Sequence, residues 1–227
     1  MAGNVLAHIT PPSKLGISLM LLALATPILL VTLPTNRYLA GRYLAVKNWA
    51  LAHFVHHIML PLTPPMHKWA IYFTSIMTYL LLLNLMGLMP YIYAPTSNML
   101  ITLGLAIPAT IATISLGMRT QPAHALAHLV PEGSPMPLVP FLILIETMSL
   151  LIRPLALGIR LAANLTAGHL LIKLLSSATK ILISTLPLLA LFTLAALTVM
   201  TLLELAVAVI QAYVFTLLLA LYTQENV

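Results

Sequence analysis

Residues Leu138–Ser177 read LVPFLILIETMSLLIRPLALGIRLAANLTAGHLLIKLLSS. Nothing in these 40 residues punctuates the chain more strongly than Pro154, and proline kinks a membrane helix more readily than it ends one. At 1.5 Å per residue a single helix of this length measures about 60 Å, about twice the hydrocarbon thickness of a bilayer. Thr185–Tyr222 is similar in scale. Two short spans in each segment would put a turn near Arg153–Arg160, where no adjacent glycine–proline pair stands. Residues 138–222 are therefore expected to form a long, strongly tilted helical hairpin.

Outward from the hairpin, the chain stays apolar. Of 227 residues, 61% are hydrophobic and only 6% are Asp, Glu, Lys or Arg, and the mean hydropathy is +1.05. A soluble domain carries about a quarter charged residues, so the bilayer is the natural solvent. Leu15–Leu33 reads as a first span closed by Pro34. It is too long for a signal-peptide core and lacks a small-residue cleavage site, so it is expected to be retained. Residues 69–118 read as a hairpin of Trp69–Met89 and Asn98–Met118, with Trp69, Tyr91 and Tyr93 as interfacial aromatics. Between these, residues 36–60 alternate Arg37, Arg42, Lys47, His53, His56 and His57 with apolar side chains, the pattern of an amphipathic surface helix. Thr120–Pro140 is proline-rich and reads as an irregular loop. The expected fold is all-α and integral to the membrane, one domain with about five embedded helices and one surface helix.

The net charge of +6 comes from scattered basic residues. Anionic lipid explains it better than nucleic acid. Five crossings put Arg37, Arg42, Lys47 and Lys68 on the side of Arg119, away from Lys14 and Lys180, and the positive-inside rule puts the first group on the cytoplasmic or matrix side. With no cysteine there is no disulfide, thiolate site or thiol nucleophile. The clusters His53/His56/His57 and His124/His128 have ligand-like spacing, but no HExxH pattern or carboxylate accompanies them, and a wet polar face explains both. No metal site is expected from them. Walker, Ser–His–Asp and paired-carboxylate patterns are absent from the sequence.

Ionisable residues within spans are costly and are functional suspects. They gather in the hairpin: Glu146, Arg153, Arg160, His169, Lys173 and Glu204. At 100° per residue Glu146, Arg153 and Asn164 fall within about 40° of Arg160, while His169 and Lys173 point to the opposite side. Glu204, Ala208 and Gln211 make a second stripe on the last helix. Small residues crowd round Arg160, namely Ala156, Gly158, Ala162, Ala163, Ala167 and Gly168. Close helix packing accounts for them but not for the guanidinium, which stays charged at any ordinary pH. Glu146 is about 21 Å away along the helix, so the partner of Arg160 is expected on the other hairpin helix or on another chain.

The run Arg153–Leu171, RPLALGIRLAANLTAGHLL, resembles the signature helix of F-type ATP synthase subunit a, and Leu203–Phe215 resembles that family's last helix. Asn84–Pro90 and His124–His128 resemble its middle. The likeness is specific from about Trp69 onward and looser before it. His169 with Glu204 resembles the animal mitochondrial branch, whereas bacterial members tend to exchange the acid and the imidazole. Arg153, Lys173 and Lys180 depart from the pattern.

The resemblance implies a proton-translocating stator subunit with two offset half-channels, serving a ring of c subunits that carry lipid-facing carboxylates. Arg160, with Asn164 beside it, falls on the essential arginine. His169 and Glu204 fall on the half-channel toward the intermembrane space, Glu146 on the one toward the matrix, and Gln211 on the polar residue facing the arginine. The implied partners are the c-ring, the other membrane and peripheral-stalk subunits, and lipids, with protons as cargo and no cofactor. Such a subunit would couple proton flow to ATP synthesis without being catalytic alone, in the mitochondrial inner membrane or, alternatively, a bacterial plasma membrane. A self-contained proton-coupled transporter is the rival reading, but it predicts internal repeats and paired broken helices, which the sequence lacks. A purely structural membrane subunit would show no dominant effect from any one buried charge. Counted from a turn near Leu182, His169 and Glu204 stand 13 and 22 residues away, so pairing them requires a stagger of about 14 Å. A neutral imidazole beside a carboxylate can relay protons near neutral pH, and a hydrogen bond that merely joins the helices is the alternative for that pair.

Overall fold

The computed structural model describes residues 13–14, 17–32, 42–60, 64–89, 94–120 and 139–226. Six α-helices make up nearly all of it: α1 Leu19–Thr32, α2 Arg42–Met59, α3 Ala70–Leu88, α4 Met99–Thr120, α5 Val139–Thr185 and α6 Pro187–Asn226. Short 3-10 turns at Pro64–Trp69 and Pro95–Ser97 lead into α3 and α4. The loop expected over 120–140 and the imidazoles His124 and His128 lie outside the described residues, apart from the ends of α4 and α5. So do 36–41, the start of the expected surface helix.

The first span begins later than the sequence suggests. Ser13–Lys14 pairs antiparallel with Ile17–Ser18, and α1 starts only at Leu19. Serine is a residue type that favours the position before a helix. The 14 residues of α1 rise about 21 Å, short of the hydrocarbon thickness. Pro27 deprives the Ala23 carbonyl of its helical donor. The Thr26 hydroxyl donates to that oxygen instead, at 2.9 Å. His67–Leu88, Met99–Thr120, Val139–Thr185 and Pro187–Glu225 are each long and apolar enough to cross a membrane.

The hairpin is longer than its sequence signal. α5 has 47 residues and α6 has 40, about 70 and 60 Å. Pro154 sits inside α5 without ending it. The chain reverses at Leu186, whose N–H bonds to Leu182 and whose carbonyl accepts from Ala190. Leu186 thus closes one helix and opens the next. Pro187 explains the sharpness: the residue before proline is driven out of the helical region, and proline suits a first helical turn.

α3 and α4 pack against only part of this hairpin. The core gathers Leu80, Ala106, Leu157, Leu161, Ala212 and Phe215 in one cluster, and Ile58, Phe73, Met77, Ala109, Leu219 and Ala220 in another. Gly158 meets α4 closely: a Cβ there would stand 2.8 Å from Leu103 Cδ2 and 3.3 Å from Ala106 Cβ. Gly158 and its buried neighbour Ala162 therefore serve close helix packing, as small residues do in lipid. Trp69, Tyr72, Arg119 and Thr223 line one cavity. The start of α3, the end of α4 and the end of α6 therefore share one end of the bundle.

Candidate functional site

Three polar clusters follow one another along α5, each closed by a side chain from α6. Nearest the turn, His169 Nδ1 stands 3.6 Å from Glu204 Oε1. That is an ion-pair contact but too long for a hydrogen bond. The Glu204 side chain is 6% exposed and that of His169 25%. Neither carboxylate oxygen of Glu204, nor His169 Nε2, has a hydrogen-bond partner among the described residues. Gly168 makes the approach possible: a Cβ there would lie 2.6 Å from Glu204 Oε1.

In the middle, Asn164 Nδ2 donates to Gln211 Oε1 at 3.0 Å. Gln211 is buried, and its own Nε2 has no partner among the described residues. Ala208, between Glu204 and Gln211, is buried against α3, where its carbonyl accepts from Asn84 Nδ2 at 3.2 Å. The second stripe read from the sequence, Glu204–Ala208–Gln211, is therefore a buried face of α6.

Farthest from the turn, Arg153 gathers two acids. Its Nη1 meets Glu225 Oε2 at 2.6 Å, and its Nη2 lies 3.6 Å from Glu146 Oε1. The guanidinium also sits over the Tyr222 ring, 5.0 Å from its centroid. Glu146 thus partners Arg153, one of the departures from the family pattern. Sequence reasoning missed Glu225. The available signal was arithmetic: the chain has only four acidic residues, so Arg153 has few possible counter-charges.

Arg160 lies between these clusters, exposed on the outer face of α5. Counting along the helix, it is about 10 Å from Arg153 and about 13 Å from His169. Among the described residues no carboxylate comes within ion-pair distance of it. Glu146, Glu204 and Glu225 are engaged elsewhere, and Glu132 lies outside the described residues. Of the two expected places for its partner, the other hairpin helix does not supply one. Ala156, Ala163 and Ala167, on the same stripe as Arg160, are also exposed.

Two geometric expectations need correction. The turn lies at Leu186 rather than near Leu182, so His169 is 17 residues before it and Glu204 is 18 after. The required stagger falls from about 14 Å to about one residue's rise, 1.5 Å. Helical phase puts His169 and Asn164 on opposite sides of α5, yet both meet α6. Counted from Leu186, Asn164 and Gln211 stand 22 and 25 residues away, and Arg153 and Glu225 stand 33 and 39. α6 therefore meets more than one face of α5 instead of following a single one.

A family model described as ATP synthase A chain matches residues 15–224. The chain is 52% identical to the "ATP synthase F(0) complex subunit a" of Gadus morhua over 227 residues, all of both chains. It is 54% identical to the protein of that name from Struthio camelus over 216 residues, 95% of each chain. With that of Latimeria chalumnae the identity is 49% over 227 residues, again all of both.

Proposed function

The chain belongs to the ATP synthase A chain family, and on that premise we propose that it is the proton-translocating stator subunit of the membrane sector. It would work in the mitochondrial inner membrane, beside a ring of c subunits, other membrane subunits and the peripheral stalk. The hairpin α5–α6 would lie strongly tilted, since both helices far exceed the bilayer thickness.

One observation carries the reading. Arg160 stands exposed between two carboxylate-bearing clusters, and no acid among the described residues neutralises it. An arginine in lipid needs a counter-charge, and with none supplied among the described residues the reading gives it a carboxylate on another chain. Ala156, Ala163 and Ala167 leave room for a helix to approach at that face. A passing ring carboxylate would be held there in its unprotonated form, and the fixed charge would block a direct proton leak.

The clusters on either side supply the two access paths. His169 and Glu204 offer exchangeable sites near the turn, toward the intermembrane space. Their unpartnered buried atoms call for water or protons, because a buried polar atom without a partner is costly. Glu146 offers the path on the matrix side, and the Asn164–Gln211 bond ties the hairpin level with Arg160. A proton enters on one side, rides the ring almost a full turn and leaves on the other. Each charge crossing 100 mV releases about 2.3 kcal/mol. The chain would be a component of the synthase and not catalytic alone.

Arg160→Ala tests this reading. Coupled transport should vanish while the complex still assembles. Arg160→Lys should fail too, because a flexible ammonium lacks the planar fork. Vesicles carrying Arg160→Ala that still pump protons on ATP addition would overturn the proposal.

A further inference from the structure

On α2, far in sequence from the proton path, His53 and His57 stand one helical turn apart and both are exposed. Their Nε2 atoms are 3.3 Å apart and share a hydrogen bond. The His53 ring stacks on Trp49, with centroids 5.7 Å apart and planes 6° from parallel. It meets the His57 ring edge-on at 4.6 Å. The neighbouring face of α2 is anchored, with Ile58 fully buried among Phe73, Met77, Leu219 and Ala220.

We propose that His53 and His57 form a two-imidazole site for a divalent transition-metal cation that accepts tetrahedral coordination, such as Zn²⁺. An ion with metal–nitrogen bonds of about 2.0–2.1 Å and near-tetrahedral angles needs its two nitrogens about 3.3–3.4 Å apart. The hydrogen-bonded pair already has that separation, so the rings need only turn their lone pairs off the line between them toward a shared ion. The proton bookkeeping closes as well. One ring now offers an Nε2–H and the other a lone pair. Moving the donor's proton to Nδ1 frees both Nε2 atoms for the ion, with no net proton release from the neutral pair.

His56 lies next to this site but is no ligand in it, with its ring 6.3 Å from that of His57. Among the described residues no group of three metal-binding side chains forms. Among the described residues the site is bidentate, with its remaining positions open to water or to a further ligand. Imidazole nitrogen suits zinc, copper and nickel. A wet polar face is the sufficient reading of these imidazoles from sequence. The 3.3 Å separation suits both their hydrogen bond and a chelate, and metal titration distinguishes the two.

The chain supplies its own reporter, since Trp49 stacks on a ligand and Trp69 is the only other tryptophan. The chain would be purified in detergent through a tag without histidine, in a Trp69→Phe background, and titrated with Co²⁺, a quenching ion that accepts the tetrahedral coordination of Zn²⁺. Saturable quenching of Trp49 emission is expected. His57→Gln should weaken it by about tenfold or more, because the second ligand acts at high effective concentration. His56→Gln should leave it unchanged. Far-UV circular dichroism would check that helix content is equal in all variants. Absent or non-saturable quenching, or a smaller loss in His57→Gln, would overturn the site.

Discussion

The two ends of the polar track on α5 differ in how completely their charges are satisfied. At Arg153 both acids are engaged, one at 2.6 Å, and an aromatic ring covers the guanidinium. At His169 the acid is more deeply buried, yet its contact is 3.6 Å and neither of its oxygens has a hydrogen-bond partner among the described residues. A satisfied ion cluster holds helices together. A buried pair left short of partners costs stability. The same two helices thus provide a satisfied tie at one end and an unsatisfied pair at the other, the pair to which the proposed function gives proton exchange.

The sharpest way to break this contrast is Glu204→Gln. If the pair near the turn relays protons, flux should fall by about a hundredfold, the lower range for removing a positioned proton-transfer group. Glu204→Asp should slow it mildly. Native gels would show the complex intact in both. Normal flux in Glu204→Gln would reduce the pair to a contact that merely joins helices.

Gly168→Ala should have the next largest effect. The added methyl would meet Glu204 Oε1 at 2.6 Å, Cδ at 2.9 Å and Cγ at 3.1 Å, forcing the carboxylate away from His169. Overpacking of this kind costs about 1–3 kcal/mol. Denaturation in detergent should register that loss, together with slower ATP-driven acidification of vesicles. A variant with unaltered stability and flux would mean that Glu204 has room to spare.

Arg153→Gln should matter least to stability. The three side chains of its cluster are 24%, 29% and 43% exposed, so the pairs lie in the range of partly solvated ion pairs, at most about 1 kcal/mol. A double-mutant cycle with Glu225→Gln should give a coupling of similar size. Coupling of several kcal/mol would make this end a buried network and remove the contrast with the other.

The sequence by itself determined the solvent, the helical class and the hairpin. Apolar content and run length leave few alternatives once 40 residues pass without a break. It also nominated the residues of the candidate site, because charges are rare enough in such a chain to be conspicuous. The tertiary structure alone decided who meets whom. Pro187 set the turn at Leu186, and a shift of four residues there changed the stagger of every pair across the hairpin. The path of α6 across α5 brought His169 and Asn164, on different faces of one helix, to the same partner helix. Helical periodicity fixes angles within one helix but carries no information on where a second helix crosses it. That crossing brought Glu225 to Arg153, which its own helix already sets beside Glu146, and left Arg160 facing outward.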